Sequence, residues 1–308
     1  MQMEMKRIAN NKENRMDQVL EEFSKIGIIP VIALEDAADA EPLAKALIDG
    51  GLPCAEVTFR TDAAEESIRI MAEKYPQMLV GAGTVLTTEQ VDRAVNAGAK
   101  FIVSPGINPK VVSYCVKKKI PVMPGCANPS DIELAMELGL DVVKFFPAET
   151  NGGLPAIKAM SAPYHKMRFM PTGGINAKNI KSYLDFKKII ACGGSWMVNK
   201  DMVKAKDWDG ITALTREAVS AMLGFTIKHS GGQFILSGTF IEMMKTHGRG
   251  LHGDITVGVN YVERAVYHLE NRGFAFDEAS RVYAEDGSLK AVYLKNEIAG
   301  FAIHLVQN

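Results

Sequence analysis

The feature that most constrains the fold is a regular succession of apolar, β-branched runs along the first two thirds of the chain. Eight such runs are present: Gly27–Leu34, Ala55–Arg60, Met78–Val85, Lys100–Ser104, Ile120–Gly125, Asp141–Phe146, Met167–Pro171 and Lys188–Gly193. They are continuously apolar rather than alternating, which is typical of parallel strands that are covered on both faces.

Amphipathic helical patterns lie between these runs. They include Glu41–Asp49, Glu65–Lys74, Glu89–Ala97, Pro109–Lys118 and Asp131–Leu138, with further helices expected at Glu13–Ile26 and Ile211–Leu223. Eight β/α units of this length predict an α/β fold, the (β/α)8 or TIM barrel. A doubly wound open sheet is the alternative.

The pattern divides the 308 residues into three parts. Residues 1–14 form a polar leader that lacks the apolar stretch of a secretory signal. Residues 15–223 form the predicted barrel. Residues 225–308 carry shorter strands and one helix, and we expect them to form a small α+β domain.

Charge and cysteine content limit which binding partners and which cellular compartment we expect. The net charge is −1, so we expect neither a nucleic-acid partner nor attachment to an anionic membrane. No apolar run is long enough to cross a bilayer. The four cysteines show no CxxC or Cys/His metal spacing, which favours reduced thiols. The expectation is a soluble, cytoplasmic protein.

One lysine interrupts the sixth apolar run near its predicted end. Because a strand alternates its faces, Lys144 shares a face with Val142 and Phe146. Burial disfavours a charged ammonium, and a desolvated lysine can act as an amine nucleophile toward carbonyl carbons. The alternative is a lysine whose stem lies on apolar surface while its ammonium reaches water.

Polar or glycine-rich segments follow seven of the predicted strands. In a barrel the carboxyl ends of the strands meet at one mouth, where active sites are built. The last two segments follow strands seven and eight, where barrels commonly bind phosphate through backbone amides. Gly173, Gly174, Gly194 and Ser195 are therefore candidate phosphate-binding residues, although glycines in tight turns would also explain the pattern.

A carboxylate and a guanidinium lie on the second predicted strand. Glu56, Thr58 and Arg60 share one face of that strand. They fit either a structural ion pair or a general base beside an arginine that holds a substrate carboxylate. Together with Lys144 they suggest a reaction in which the lysine amine forms an iminium with a keto acid and the carboxylate shuttles the proton, without a metal.

The motifs in these segments resemble those of 2-keto-3-deoxy-6-phosphogluconate (KDPG) aldolase, a family that also carries 4-hydroxy-2-oxoglutarate (KHG) aldolase activity. The matching segments are Glu56–Thr61, Gly81–Val85, Ser104–Gly106, Val143–Glu149, Pro171–Ile175 and Gly193–Trp196. The resemblance covers residues 15 to about 223 and implies a homotrimer of (β/α)8 barrels in Entner–Doudoroff carbohydrate metabolism, with no cofactor.

The resemblance also implies a role for each site residue. Lys144 would be the Schiff-base lysine and Glu56 the general acid/base. The substrate-binding residues would be Arg60 and Thr84, which hold the pyruvyl carboxylate, and Pro105, Phe146 and Thr172, which line the pocket. Gly173, Gly174, Gly194 and Ser195 would take the phosphate. The products would be pyruvate and glyceraldehyde 3-phosphate.

The chain departs from the family pattern at one helix start. Family members commonly carry Thr before the proline, where this sequence has Asn128 before Pro129. An asparagine can still cap a helix whose first residue is proline. We therefore expect the fold to tolerate the change and any effect to fall on the pocket.

The C-terminal residues 225–308 lie outside that resemblance. Their predicted strands are Phe225–His229, Gln233–Leu236, Phe240–Met244, Asp254–Val259, Ser280–Ala284, Ala291–Leu294 and Phe301–Val306, with a helix at Val262–Asn271. From Asp254 the order is β-α-β-β-β, which resembles one module of the vicinal-oxygen-chelate (glyoxalase-like) fold. By position the candidate metal ligands would be His229, Glu242, Asp254 and His304; no metal is expected in the barrel. A structural or oligomer-contacting appendage is the alternative.

Several functions remain open at this point. The same lysine chemistry serves unphosphorylated 4-hydroxy-2-oxoglutarate or the decarboxylation of oxaloacetate. A non-catalytic sensor of a phosphorylated ligand, with the C-terminal module as its output, is an alternative of another class. A metal-dependent enzyme fused to the aldolase is a third possibility.

Overall fold

The computed structural model describes residues 18–232, 241–243 and 249–308, without the side chains of residues 229–232 and 241–243. The chain divides into two compact units, the first ending at Val219 and the second comprising Ser220–Asn308. The leader at residues 1–14 and the predicted strand Gln233–Leu236 lie outside the described residues.

The first unit alternates strands and helices. Its strands are β1 (Ile28–Ile32), β2 (Cys54–Thr58), β3 (Leu79–Gly83), β4 (Ile102–Ser104), β5 (Val122–Cys126), β6 (Val142–Phe145), β7 (Arg168–Pro171) and β8 (Cys192–Gly194). Its helices are α1 (18–26), α2 (Ala40–Gly50), α3 (Ala64–Lys74), α4 (Thr88–Asn96), α5 (Pro109–Lys118), α6 (Pro129–Glu137), α7 (Gly153–Ser161), α8 (Ile180–Leu184), α9 (Lys200–Lys204) and α10 (Trp208–Leu223), the last of which continues into the second unit.

The eight strands form a ring. Their hydrogen-bonded order is β7-β6-β5-β4-β3-β2-β1-β8, and every pairing is parallel. Parallel bridges from Phe169 to Ile189 and from Thr172 to Gly193 connect the two ends of this order. The predicted (β/α)8 barrel is confirmed, and the open-sheet alternative is wrong.

The eighth strand is shorter than the sequence predicts. Of the predicted run Lys188–Gly193, only its end belongs to β8, which pairs with β1 from Cys192 onward. Ile189 makes an isolated bridge to Phe169 instead. Residues in this run therefore contact the two neighbouring strands in succession, which shortens the ladder to each.

Helix starts follow the expected capping chemistry. The Asn128 side chain accepts a hydrogen bond from the Asp131 amide at 3.1 Å, and Pro129 is the first residue of α6. Asn108 and Pro109 begin α5 in the same way. The prediction that Asn128 serves as a helix cap is confirmed.

The second unit contains a six-stranded sheet in the order β10-β9-β11-β14-β13-β12. Its elements are β9 (Thr226–Gly232), β10 (Ile241–Met243), β11 (Asp254–Val259), α11 (Val262–Glu270), β12 (Val282–Tyr283), β13 (Leu289–Tyr293) and β14 (Ala302–Gln307). Helix α11 contacts β13 and β14. The predicted β-α-β-β-β order from Asp254 is present, whereas the resemblance to the glyoxalase-like fold stays a prediction.

None of the helices in the part of the chain that the structure describes has the length and apolar character needed to cross a membrane.

Two glycines near the carboxyl ends of neighbouring strands provide a test of the barrel packing. A Cβ at Gly125 would overlap the backbone carbonyl of Pro105, whereas a Cβ at Gly106 would meet nothing. We expect Gly125→Ala to destabilise the protein by about 1–3 kcal/mol because backbone must move. Gly106→Ala is the matched control and should leave the midpoint of denaturant unfolding nearly unchanged. Equal midpoints for the two variants would contradict this packing.

Candidate active site

A buried ion pair lies inside the barrel at its carboxyl end. Lys144 Nζ is 3.1 Å from Glu56 Oε1 and 3.5 Å from Glu56 Oε2. The two residues are only 5% and 1% exposed. The alternative that the Lys144 ammonium reaches water is therefore wrong. Because the two residues belong to β6 and β2, four strands apart in the ring of eight, the pair spans the barrel interior.

The surroundings of the pair leave room for both side chains. A Cβ at Gly83 would overlap the Glu56 carboxylate, so glycine in β3 is needed beside it. Gly125 of β5 pairs with Lys144 in the sheet. Phe146 follows β6, and its ring centroid lies 5.2 Å from Lys144 Nζ. The lysine is thus held between an acidic partner and an aromatic face.

A neighbouring thiol does not compete with this amine. Cys126 pairs with Phe145 in the sheet and is buried. Burial first, and the charge of Asp131 second, raise the pKa of Cys126 to about 12. The thiol therefore stays protonated at neutral pH, and a protonated thiol is a poor nucleophile.

Arg60 and Thr84 form a second polar group at the ends of β2 and β3. Arg60 Nε donates to Thr84 Oγ1 at 3.2 Å. The backbone of Thr84 has a φ of 54°, which a β-branched residue rarely adopts. Such strain is maintained by the surrounding structure and is concentrated at functional sites. The contact holds the guanidinium over the strand ends.

Two loops after β6 and β7 are joined by backbone hydrogen bonds. The Ala148 amide donates to Thr172 O at 2.8 Å, and the Glu149 amide donates to Gly173 O at 3.0 Å. Gly173 and Gly174 have φ values of 102° and 83°, which favour glycine. A Cβ at Gly174 would also overlap the Glu149 side chain.

A tyrosine fixes the outer side of this loop pair. The Tyr183 hydroxyl donates a hydrogen bond to the Glu149 carboxylate. Burial and the negative charge of Glu149 raise the pKa of Tyr183, so it remains a donor across the neutral range. The sequence analysis named Glu149 only as the end of the segment Val143–Glu149 and did not name Tyr183, because their contact depends on loop conformations that the sequence pattern does not specify.

A cavity of about 520 Å³ opens beside Lys144. Its wall includes eight of the predicted site residues, namely the predicted nucleophile Lys144 and seven predicted binding residues. The seven are Arg60, Phe146, Thr172, Gly173, Gly174, Gly194 and Ser195. Thr172 Oγ1 is buried and has no hydrogen-bond partner among the described residues, so a ligand could supply one.

The cavity wall differs from the prediction in two ways. Three predicted site residues, Glu56, Thr84 and Pro105, are not among its lining residues. Glu56 contacts the lining residue Lys144, Thr84 accepts a hydrogen bond from Arg60, and the Pro105 carbonyl lies against Gly125. Conversely, Asn199 and Lys200 line the cavity although the sequence analysis did not select them. Their position soon after Ser195 is the signal that could have identified them.

The candidate metal ligands of the second unit lie on adjacent strands. Backbone register pairs Thr256 with both His229 and His304, and pairs Gly231 with both Glu242 and Asp254. The side chains of His229 and Glu242 are outside the described set. The His304 ring stacks on Tyr293 with centroids 4.1 Å apart, and Asp254 accepts a hydrogen bond from Thr256 at 3.3 Å.

A metal site at these residues therefore stays a prediction. Within the described side chains, no group of three or more His, Cys, Asp or Glu residues has an arrangement that could hold a metal ion.

Comparison with known proteins decides the family. A family model described as KDPG and KHG aldolase matches residues 19–214. The chain belongs to this aldolase family. The matched residues include the Lys144–Glu56 pair and the whole cavity wall, and they end before the second unit begins.

Individual relatives agree with the family match. The 2-dehydro-3-deoxy-phosphogluconate aldolase of Haemophilus influenzae is 48% identical over 202 residues, which are 66% of this chain and 95% of that protein. The KDPG aldolase of Zymomonas mobilis, whose structure was solved with 3-phosphoglycerate, is 44% identical, and its TM-score is 0.61. The alignment covers 65% of this chain and 94% of that chain.

The structure of a third relative contains a covalent reaction intermediate. The KDPG aldolase of Legionella pneumophila, with pyruvate captured as a covalent carbinolamine, is 39% identical with a TM-score of 0.62. The alignment covers 64% of this chain and 95% of that one.

The strained backbone at Thr84 gives a prediction that separates conformation from hydrogen bonding. Thr84→Gly and Thr84→Ala both remove the hydroxyl that accepts from Arg60, so both should lower aldolase turnover to a similar extent. Only glycine adopts a positive φ without penalty, so Thr84→Gly should be more stable than Thr84→Ala by about 1 kcal/mol. Thermal or denaturant unfolding measures the difference. A Thr84→Ala variant as stable as Thr84→Gly would contradict the backbone assignment.

Proposed function

We propose that the first unit is a class I, Schiff-base aldolase that cleaves 2-keto-3-deoxy-6-phosphogluconate to pyruvate and glyceraldehyde 3-phosphate. The observation that carries this proposal is the buried contact of Lys144 Nζ with Glu56 Oε1 at 3.1 Å, beside a cavity at the carboxyl end of the barrel. An amine nucleophile next to a general base is the combination that class I aldol chemistry needs.

The reaction begins at the lysine. Glu56 takes a proton from the Lys144 ammonium, and the free amine attacks C2 of the keto acid to give a carbinolamine. The protonated Glu56 then returns this proton to the carbinolamine hydroxyl, which leaves as water. The products of this step are the Glu56 carboxylate and an iminium, which withdraws electrons from the neighbouring carbon. The iminium provides the polarisation of the carbonyl that a metal would otherwise provide, so the proposed mechanism uses no metal or other cofactor.

Carbon–carbon cleavage then uses the same carboxylate. Glu56 accepts the proton of the C4 hydroxyl as the C3–C4 bond breaks. The bonding electrons move into the iminium and form an enamine, while C4 leaves as the aldehyde. Protonation of the enamine at C3 and hydrolysis of the resulting iminium release pyruvate and restore the amine. One residue thus serves as acid and base in successive steps.

The cavity fits a substrate with an anion at each end. Arg60 can hold the C1 carboxylate through two parallel hydrogen bonds, with Thr84 fixing the guanidinium. Gly173, Gly174 and Gly194 can present backbone amides to the distal phosphate, and Ser195 can add its hydroxyl. Thr172 and Phe146 lie between these ends, next to the reacting carbons. We propose that Pro105 supports the pocket without touching the substrate, because its backbone packs against Gly125.

The relatives support both the lysine adduct and the phosphorylated product. Pyruvate in a covalent carbinolamine in the Legionella enzyme supports a lysine adduct at Lys144. The 3-phosphoglycerate in the Zymomonas enzyme supports a phosphorylated three-carbon product.

By the same resemblance we propose a homotrimer that works in the cytoplasm, in the Entner–Doudoroff pathway. The four free, buried cysteines are compatible with a reducing compartment.

A second substrate is favoured by the family description, which names KHG together with KDPG. 4-Hydroxy-2-oxoglutarate has the same 2-keto acid and 4-hydroxyl groups, so Lys144 and Glu56 can act on it unchanged. It lacks the phosphate, and the glycine amides and Ser195 would not contribute to its binding. Its cleavage should therefore be slower at low substrate concentration.

Substitutions of the ion pair should separate adduct formation from proton transfer. Lys144→Met should abolish cleavage because no amine remains. Glu56→Gln keeps the shape of the side chain but loses the base, so kcat should fall about 10²–10⁴-fold. Pyruvate release, coupled to its reduction by lactate dehydrogenase, measures both. Undiminished turnover of Glu56→Gln would remove Glu56 from the mechanism.

The phosphate assignment is tested by one hydroxyl. Ser195→Ala should lower kcat/KM for 2-keto-3-deoxy-6-phosphogluconate about tenfold, because a hydrogen bond to a charged group is lost. The same variant should leave kcat/KM for 4-hydroxy-2-oxoglutarate unchanged, and this substrate is the internal control. An equal loss with both substrates would place Ser195 elsewhere than at the phosphate.

A further inference from the structure

Lys200 lies on the cavity wall with no function assigned by the mechanism above. It is the first residue of α9, and only the four residues 196–199 separate it from Ser195. The Asn199 side chain accepts a hydrogen bond from the Asp201 amide at 2.8 Å, which fixes the backbone on either side of Lys200. Its side chain is exposed, so the ammonium can move within reach of the cavity.

The charges of the cavity wall are unbalanced. Arg60, Lys144 and Lys200 are its cationic lining residues, and no aspartate or glutamate belongs to the lining among the described residues. Lys144 is paired with Glu56. Within the described part of the chain, no carboxylate forms an ion pair with Lys200. Its charge is thus available to a ligand.

The predicted phosphate-binding residues cannot neutralise the charge of a phosphate. Gly173, Gly174 and Gly194 offer only neutral backbone amides, and Ser195 offers a neutral hydroxyl. A phosphate monoester carries about 1.5–2 negative charges at neutral pH. Arg60 follows β2, whereas Ser195 follows β8, on the other side of β1 in the ring. A flexible ammonium from α9 is the one cation on the Ser195 side of the wall among the described lining residues.

We propose that Lys200 binds the distal phosphate of the substrate and makes the site select phosphorylated over unphosphorylated keto acids. The selectivity rests on the proposed function, since it concerns the same cavity and the same substrate class. Lys200 has no part in the lysine adduct or in proton transfer. Its removal therefore raises KM for the phosphorylated substrate and leaves kcat nearly unchanged.

The test compares Lys200→Met with Lys204→Met. Both variants lose one positive charge from α9, but Lys204 is not a lining residue of the cavity, so the pair separates position from net charge. The substrates are 2-keto-3-deoxy-6-phosphogluconate and its unphosphorylated counterpart 2-keto-3-deoxygluconate. We expect Lys200→Met to lower kcat/KM for the phosphorylated substrate about five- to tenfold, with the other substrate unaffected. Lys204→Met should change neither, and Lys200→Arg should retain most of the activity.

Two results would overturn the proposal: a loss in Lys200→Met no larger than that in Lys204→Met, or an equal loss with both substrates. Calorimetry measures the binding of 3-phosphoglycerate, with glycerate as the unphosphorylated control ligand. This measurement tests phosphate binding without requiring catalysis. If the wild-type protein cleaves neither substrate, the proposed function fails. Weaker 3-phosphoglycerate binding by Lys200→Met alone would still support phosphate binding by Lys200, and equal binding by all variants would overturn it.

Discussion

The buried contact between Lys144 and Glu56 is the interaction on which the rest of the site depends. Either charge alone inside the barrel would carry a large desolvation penalty, and the pair offsets part of it. The two residues are 88 positions apart and stand on strands four places apart in the ring. Only closure of the barrel brings them within 3.1 Å. Closure of the barrel therefore brings together the proposed nucleophile and its proposed base.

Close backbone packing at the carboxyl ends of the strands positions this pair and its surroundings. Gly83 leaves space for the Glu56 carboxylate, Gly125 admits the Pro105 backbone, and Gly174 admits the Glu149 side chain. Glu149 is in turn held by Tyr183. Glycine is required at these positions for steric reasons, and Gly174 is also one of the proposed phosphate-binding residues. Structural and proposed functional requirements thus coincide at Gly174.

The sequence predicted the barrel because continuous apolar runs specify parallel strands covered on both faces. It predicted Lys144 and Glu56 because a charged residue inside such a run has few stable environments. It did not predict Lys200, or the contact of Tyr183 with Glu149, since both depend on how loops fold after the strands end. The role of Thr84 in holding the pyruvyl carboxylate stays a prediction, whereas its hydrogen bond with Arg60 depends on loop geometry that the sequence pattern does not specify. In the second unit the strand order was readable, whereas its function was not, because its candidate ligands share no motif.

The account is tested most directly by reducing the wild-type protein with borohydride in the presence of pyruvate and mapping the modified peptide by mass spectrometry. A lysine that forms an iminium with a keto acid is trapped as a stable secondary amine. The account predicts one equivalent of adduct, located on Lys144 and absent from Lys144→Met. A protein that remains unmodified, or that carries its adduct on a different lysine, would contradict it.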